Sequence, residues 1–229
     1  MKICIDAGHN YSNYGTGAVG NGLKEQDINF YIADKLKALL VASRHSVKMT
    51  RSKLEENVGT SNADSLNKRA SIANQFGADL FISIHCNAGG GTGTETLIYA
   101  KGGKAEEYAN KIQKAIVQKL GTRDRGVKER PKLVVLRKTS MPAVLVETAF
   151  IDTKADAVLL KNRQSDFASA IFEAVTGQKA ELESVNDIVW ELANRGIITN
   201  KDLWLKKLEE DEDSYWLAKK SANYIRRNV

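Results

Sequence analysis

Apolar residues along this 229-residue chain fall into two alternating patterns. Short runs read as strands: Lys2–Asp6, Ser46–Thr50, Leu80–His85, Thr96–Tyr99, Leu133–Leu136 and Ala143–Val146, of which Leu80–His85 is continuous and of the kind buried on both faces. Between them lie segments with apolar residues three and four apart. Glu25–Ala42 places Ile28, Tyr31, Ile32, Leu36, Leu39 and Leu40 on one stripe, and Glu106–Leu120 does the same with Tyr108, Ile112, Ile116 and Leu120. Ser65–Phe76, Lys154–Leu160 and Phe167–Val175 read as further helices, and Gly77, Gly121 and Gly177 supply stop signals. Strands separated by helices of this length imply βαβ units. The expected architecture is α/β: a mostly parallel twisted sheet with helices on both faces.

Beyond Gly177 only helical patterns occur: Val185–Ala193, Lys201–Glu209 and Ser214–Arg227. Trp190, Trp204 and Trp216 all lie in this tail, and the preceding residues contain no tryptophan. This shift predicts two domains, 1–177 and 178–229, the second a small all-α domain of about three helices whose core is near the lower size limit for independent folding.

Composition narrows the chemistry. Apolar residues make up 42% and proline only two positions, which excludes disordered and collagen-like classes. Cys4 and Cys86 are too few for a zinc ribbon or a disulfide framework and read as buried thiols. No apolar stretch is long enough to span a membrane, and the opening Lys2-Ile3-Cys4-Ile5-Asp6-Ala7-Gly8 reads as a strand and turn, not a signal peptide. The net charge is +6. From Lys179 onward there are 9 basic and 10 acidic residues, and before it 25 and 18, so the first domain carries +7 and the tail −1. That suits an anionic partner of the first domain. A nucleic-acid role has no support beyond basicity, because no aromatic-basic or helix-turn-helix signature occurs.

Only His9, His45 and His85 are available for histidine chemistry. His9 and His85 each close an expected strand, where open α/β sheets collect their ligands. Glu147 closes another, and Glu25 opens the first long helix after a glycine-rich loop. Two imidazoles and two carboxylates converging there would form a catalytic zinc set: three ligands, an open position and a spare carboxylate. Each residue also has a plain reading. His9 is a turn residue, His85 a satisfied core histidine, Glu25 a helix-start carboxylate favoured by the dipole, and Glu147 a buried ion pair with Arg137 or Arg69. His45, beside Arg44 and Ser46, reads as exposed and without function.

The same residues carry a family resemblance. Ile5-Asp6-Ala7-Gly8-His9, Leu23-Lys24-Glu25-Gln26-Asp27-Ile28-Asn29, the block from Arg69 through Ala78-Asp79-Leu80-Phe81-Ile82-Ser83-Ile84-His85-Cys86-Asn87-Ala88, Arg125-Gly126-Val127-Lys128 and Met141-Pro142-Ala143-Val144-Leu145-Val146-Glu147-Thr148-Ala149-Phe150 resemble, in order, the motifs of the zinc-dependent N-acetylmuramoyl-L-alanine amidases of the amidase-3 type. The resemblance runs from residue 2 to about residue 176. It implies a Zn2+ cofactor held by His9, Glu25 and His85, with Glu147 as catalytic acid/base. It also implies hydrolysis of the amide between the lactyl group of N-acetylmuramic acid and L-alanine in peptidoglycan. Asn87 is a candidate for orienting ligand or substrate, and Arg69 is either structural or a contact for a substrate carboxylate. Where the family carries Gly-Phe after the glutamate, Ala149-Phe150 follows Thr148 here, a departure that bears on substrate fit.

The tail, through Ile197-Ile198-Thr199-Asn200-Lys201-Asp202-Leu203-Trp204-Leu205, resembles helical modules of clostridial and phage wall hydrolases. This implies wall binding; the alternatives are tryptophans that merely fill a small core, or a dimerisation element. With no signal peptide in view, the expectation is an endolysin made in the cytoplasm that acts on the wall, and an associated anionic polymer, after release. A host autolysin and a zinc peptidase or deacylase on the same fold are the alternatives, and the oligomeric state is open.

Overall fold

Five of the six apolar runs, with one polar strand added, assemble into a six-stranded sheet. The structure, a computed structural model, describes residues 1–180, 188–189, 192–193 and 196–228, with backbone alone at residues 201 and 222–228. The chain divides into two compact units, Met1–Ala180 and Glu181–Val229.

In the first unit the strands are β1 (Lys2–Ala7), β4 (Ser46–Met49), β5 (Leu80–Asn87), β6 (Thr94–Ile98), β7 (Asp124–Glu129) and β8 (Ala143–Phe150), ordered β4-β1-β5-β8-β6-β7. A two-stranded ribbon, β2 (Val19–Gly20) with β3 (Leu23–Lys24), precedes the first helix. The pairs β1–β4, β1–β5, β5–β8 and β6–β7 are parallel, and β6–β8 is antiparallel. The sheet is therefore mixed and mostly parallel. The helices are α1 (Glu25–Ala42), α2 (Asn62–Phe76), α3 (Lys104–Leu120), α4 (Val134–Arg137), α5 (Lys154–Asn162) and α6 (Gln164–Thr176).

Side chains alternate across a strand, and both faces of this sheet are apolar. On one face Cys4, Phe81, Leu97, Ala143 and Leu145 pack with Ala73 of α2 and with Val135 and Leu136 of α4. The alternate residues Ile3, Ile5, Ile82, Ile84, Val144 and Val146 are sealed as completely. Burial on both faces explains why the central strands read as continuous apolar runs. Ser61 caps α2, its hydroxyl accepting from the Asp64 N–H, and Gly77 ends that helix in the left-handed conformation (φ 62°).

Two local expectations change. Leu133–Leu136 forms no strand; Val134–Arg137 is the short helix α4. A four-residue apolar run has no periodicity to separate the two states. The edge strand β7 lies over Asp124–Glu129, a polar and partly exposed segment without an apolar run to announce it.

In the second unit, α7 (Lys201–Glu210) and α8 (Glu212–Asn228) are helical, as are residues 188–189 and 192–193. Trp190 and most of the expected helix 185–193 lie outside the described residues. Ile188, Val189, Leu192, Ile198, Leu208 and Ala218 form a small core against which Trp204 packs half-buried, and Trp216 is buried. Asn200 caps α7 through the Leu203 N–H.

Candidate metal centre

The site begins with a backbone turn. After β1, Gly8 donates its N–H to Ile84 O, and His9 adopts a left-handed conformation (φ 67°) that side-chain-bearing residues rarely take. Glycine at position 8 is required by packing: a Cβ there would sit 2.3 Å from His85 Nε2. The His9 Nδ1–H donates to Gly15 O at 3.1 Å, which fixes the tautomer and leaves Nε2 as the lone-pair nitrogen. Nε2 lies 3.0 Å from Glu25 Oε1, and His85 Nδ1 lies 3.1 Å from the same oxygen. The two imidazoles meet edge-on with centroids 4.8 Å apart.

Glu25, the first residue of α1, is 4% exposed. Its carboxylate is held from several directions. Cys86 N–H donates to Oε1, Asn29 Nδ2 approaches Oε1 at 3.4 Å, and Ala18 N–H donates to Oε2 at 2.9 Å. Gly17 must lack a side chain, because a Cβ would come 2.7 Å from Oε2. Burial works against the Glu25 charge, but the hydrogen bonds and charges of His85 and His9 outweigh it and hold the carboxyl far below its usual range. For His85, burial opposes the imidazolium while Glu25 and then Glu147 favour it, and the net shift is upward.

Glu147 stands beside His85 in the β5–β8 register. Its Oε2 is sealed from solvent and finds no hydrogen-bond partner among the described residues. Neither Arg69 nor Arg137 pairs with it. Burial, with Glu25 and Glu95 adding to it and His85 opposing it, pushes this carboxyl up to about 7. A carboxyl poised there can take a proton and give it back near neutrality.

Arg69 serves the opposite side of the site. It is 2% exposed, and its guanidinium donates to Asp6 Oδ1 (2.6 Å), Ala7 O (2.8 Å), His9 O (2.6 Å), Asn10 Oδ1 (2.9 Å) and Ser65 Oγ (3.2 Å). Thr50 and Ser83 hydroxyls complete the Asp6 carboxylate. Arg69 thus braces the turn that presents His9. Asn87 Oδ1 accepts from the adjacent Ala88 N–H, so this side chain closes its own turn. His45 is half-buried rather than exposed, with Nδ1 3.3 Å from the N-terminal amine.

Asn29 enters the sequence reading only as the last residue of the Leu23–Asn29 motif, with no role attached, and Glu95 lies outside every motif. The asparagine one helical turn after Glu25 carried the only advance signal for the first. Glu95 had none, since its place depends on the β6–β8 pairing.

The donor set suits zinc. His9, Glu25 and His85 offer ligand atoms all within 4.8 Å of one another. Ligands about 2.0–2.1 Å from one tetrahedral ion stand about 3.3 Å apart, close to the 3.0 and 3.1 Å seen around Oε1. Two neutralisable imidazoles, one buried carboxylate and a neighbouring unpartnered carboxyl form the set a catalytic ion uses. Alongside runs a cleft of about 370 Å³ between α2 and α4, lined by Asn62, Leu66, Lys132, Leu133 and Val134.

Residues 3–177 match the family model Amidase_3, described as N-acetylmuramoyl-L-alanine amidase. The chain is 41% identical over 162 residues to the sporulation-specific N-acetylmuramoyl-L-alanine amidase of Bacillus subtilis (strain 168), covering 70% of this chain and 60% of that protein. It is 42% identical over 168 residues to the endolysin of Bacillus phage SPP1, covering 69% and 58%. It therefore spans about three fifths of these curated relatives. Among solved structures, the catalytic domain of the CD27L endolysin targeting Clostridia difficile superposes with a TM-score of 0.69 at 29% identity, over 78% of this chain and 98% of that one. The N-acetylmuramoyl-L-alanine amidase from Clostridium difficile 630 gives 0.68 at 31%, over 77% and 95%.

Proposed function

The chain belongs to the Amidase_3 family of N-acetylmuramoyl-L-alanine amidases, and from that premise we propose that it hydrolyses the bond between the lactyl carbonyl of N-acetylmuramic acid and L-alanine in peptidoglycan. The observation that carries this reading is the convergence of His9, Glu25 and His85 beside the unpartnered carboxyl of Glu147.

His9, Glu25 and His85 would hold a zinc ion, which supplies Lewis-acid polarisation of the amide carbonyl and a water acidic enough to attack near neutral pH. Gly15 O, Asn29 and the Cys86 N–H keep the three side chains pointed inward. Glu147 takes the proton of the attacking water on its free carboxylate oxygen. It then delivers that proton to the L-alanine nitrogen as the carbon–nitrogen bond breaks, so a neutral amine leaves rather than an amide anion. Its partial burial suits both halves of this task, since solvation would lower its affinity for the proton.

The cellular role we propose is wall lysis by an endolysin, supported by the phage relative. A sporulation or autolytic role is supported by the similarity to the B. subtilis amidase. The +7 of the first domain favours the anionic wall in either case. For the second unit we propose wall binding. Its half-buried Trp204, with Lys207 over the ring at 5.1 Å, borders a small cleft with Ile197, Ser214 and Leu217.

Glu147→Ala tests the reading. The variant is expected to retain one zinc per chain by metal analysis while release of L-alanine amino groups from purified peptidoglycan falls about 10²- to 10⁴-fold. Retained hydrolysis would remove Glu147 from the chemistry.

A further inference from the structure

The β-sheet register carries the site beyond its catalytic carboxyl. His85 stands beside Glu147, Glu147 beside Glu95, and Glu95 beside the irregularity in β7 where Arg125 lies. Glu95 is 6% exposed, and both Arg125 Nε (2.7 Å) and Lys128 Nζ (2.5 Å) donate to its Oε2. Arg125 also lies 4.8 Å over the Phe150 ring. That ring is buried and seated against Gly91, where a Cβ would come 2.4 Å from Cζ. The guanidinium is thus fixed by one edge and one face. Among the described residues its two terminal nitrogens make no hydrogen bond, and the side chain is 26% exposed. Two cations around one carboxylate leave a surplus positive charge facing solvent.

The orientation of the substrate follows from the chemistry. Glu147 must reach the leaving nitrogen, so the peptide half of the substrate begins at Glu147 and the acyl half lies over the histidines. From Glu147 the sheet continues through β6 to β7, about 4.8 Å per strand, and Arg125 leans back over β6 to reach Glu95. An extended peptide advances roughly 3.5 Å per residue. A peptide taking this direction begins its second residue about 3.5 Å from the scissile nitrogen, and a carboxylate on that residue would extend towards Glu95 and the open edge of Arg125.

We propose that Arg125, oriented by Glu95 and Phe150 and assisted by Lys128, is a specificity residue that binds a free carboxylate on the second residue of the leaving peptide. The inference rests on the amidase reading above. A planar guanidinium with a paired edge of donors left open is the group that receives a carboxylate through two parallel hydrogen bonds, and it discriminates against a carboxamide, whose NH2 group repels those donors. Glu95 binds no substrate in this scheme. It sets the guanidinium's angle and keeps the local surplus near one unit of charge.

The test uses the full chain loaded with zinc and two N-acetylmuramoyl tripeptides that differ only in a free carboxylate or a carboxamide on the second residue. The wild-type protein is expected to prefer the carboxylate form by about 10- to 100-fold in kcat/KM, chiefly through KM. In Arg125→Gln that ratio falls towards one, and in Arg125→Lys it is intermediate. Because the readout is a ratio within each variant, a general loss of stability or metal does not imitate it. An unchanged ratio in Arg125→Gln, or a wild-type ratio near one, overturns the proposal. Failure of the wild-type protein to cleave either substrate overturns the amidase reading itself, and the proposal with it.

Discussion

Replacing Arg69 with methionine strands a charge. Asp6 is 1% exposed, and its carboxylate is balanced by the Arg69 guanidinium at 2.6 Å, with hydroxyls of Thr50 and Ser83 as its other partners. Removing one partner of a buried pair costs roughly 3–5 kcal/mol, because the remaining charge is left desolvated. For a unit of this size each kcal/mol moves the melting temperature by about 2–4 °C, so Arg69→Met should melt about 6–20 °C lower. The same side chain holds His9 O at 2.6 Å and Ala7 O at 2.8 Å. Loss of this brace frees a turn that His9 keeps in a left-handed conformation, and a fall in zinc affinity of about 10- to 100-fold is expected. Urea unfolding of metal-free protein separates the first effect, and competition with a chelator measures the second. Combined with Asp6→Asn, the loss should be smaller than the sum of the single losses by about 1–3 kcal/mol, since the second change removes the stranded charge. Full additivity, or an Arg69→Met protein that melts within about 2 °C of wild type, would refute the buried-pair argument. Lysine at position 69 should restore part of the stability but not the zinc affinity, because one ammonium cannot span Asp6 and His9 O together.

Acid stability follows from the same pair. Burial raises the Asp6 pKa, but Arg69 and the two hydroxyls lower it further, and the net is below the ordinary aspartate value. Its contribution is therefore complete above about pH 4 and is lost as pH falls through the depressed folded value; a melting temperature that declines well above pH 5 would contradict this assignment. Gly8→Ala drives a Cβ to within 2.3 Å of His85 Nε2; activity and zinc content should collapse while far-ultraviolet circular dichroism is retained. Burial pushes the Cys4 thiol up to about 12 and the Cys86 thiol well above its usual value, so neither should react with a disulfide reagent at pH 8 until urea unfolds the chain.

Much of the fold is local and was readable. The stripe from Ile28 to Leu40 predicted α1 with the observed bounds Glu25–Ala42, and the apolar run Leu80–His85 predicted the core of β5. Where the local signal was short or absent, the reading failed or was silent: Val134–Arg137 coils because it packs beside α2, and β7 is a polar edge. The direction of β6 was also unreadable, since a strand's periodicity is the same whichever way it pairs.

His9 just past a strand, His85 and Glu147 on apolar strands and Glu25 opening a helix are readable from the sequence alone, because each depends on a residue type and its place in one element; the two strands do not close on His85 and Glu147 as expected but run on to Asn87 and Phe150. Their use together is tertiary. Only the folded chain brings Glu25 Oε1 within 3.0 and 3.1 Å of two imidazoles 76 residues apart in sequence, gives Arg69 to Asp6 instead of Glu147, and sets Glu95 opposite the Glu147 carboxyl. The physical reason is that propensity and periodicity act over a few residues, whereas desolvation, charge balance and strand pairing depend on which distant segments the packed sheet makes neighbours.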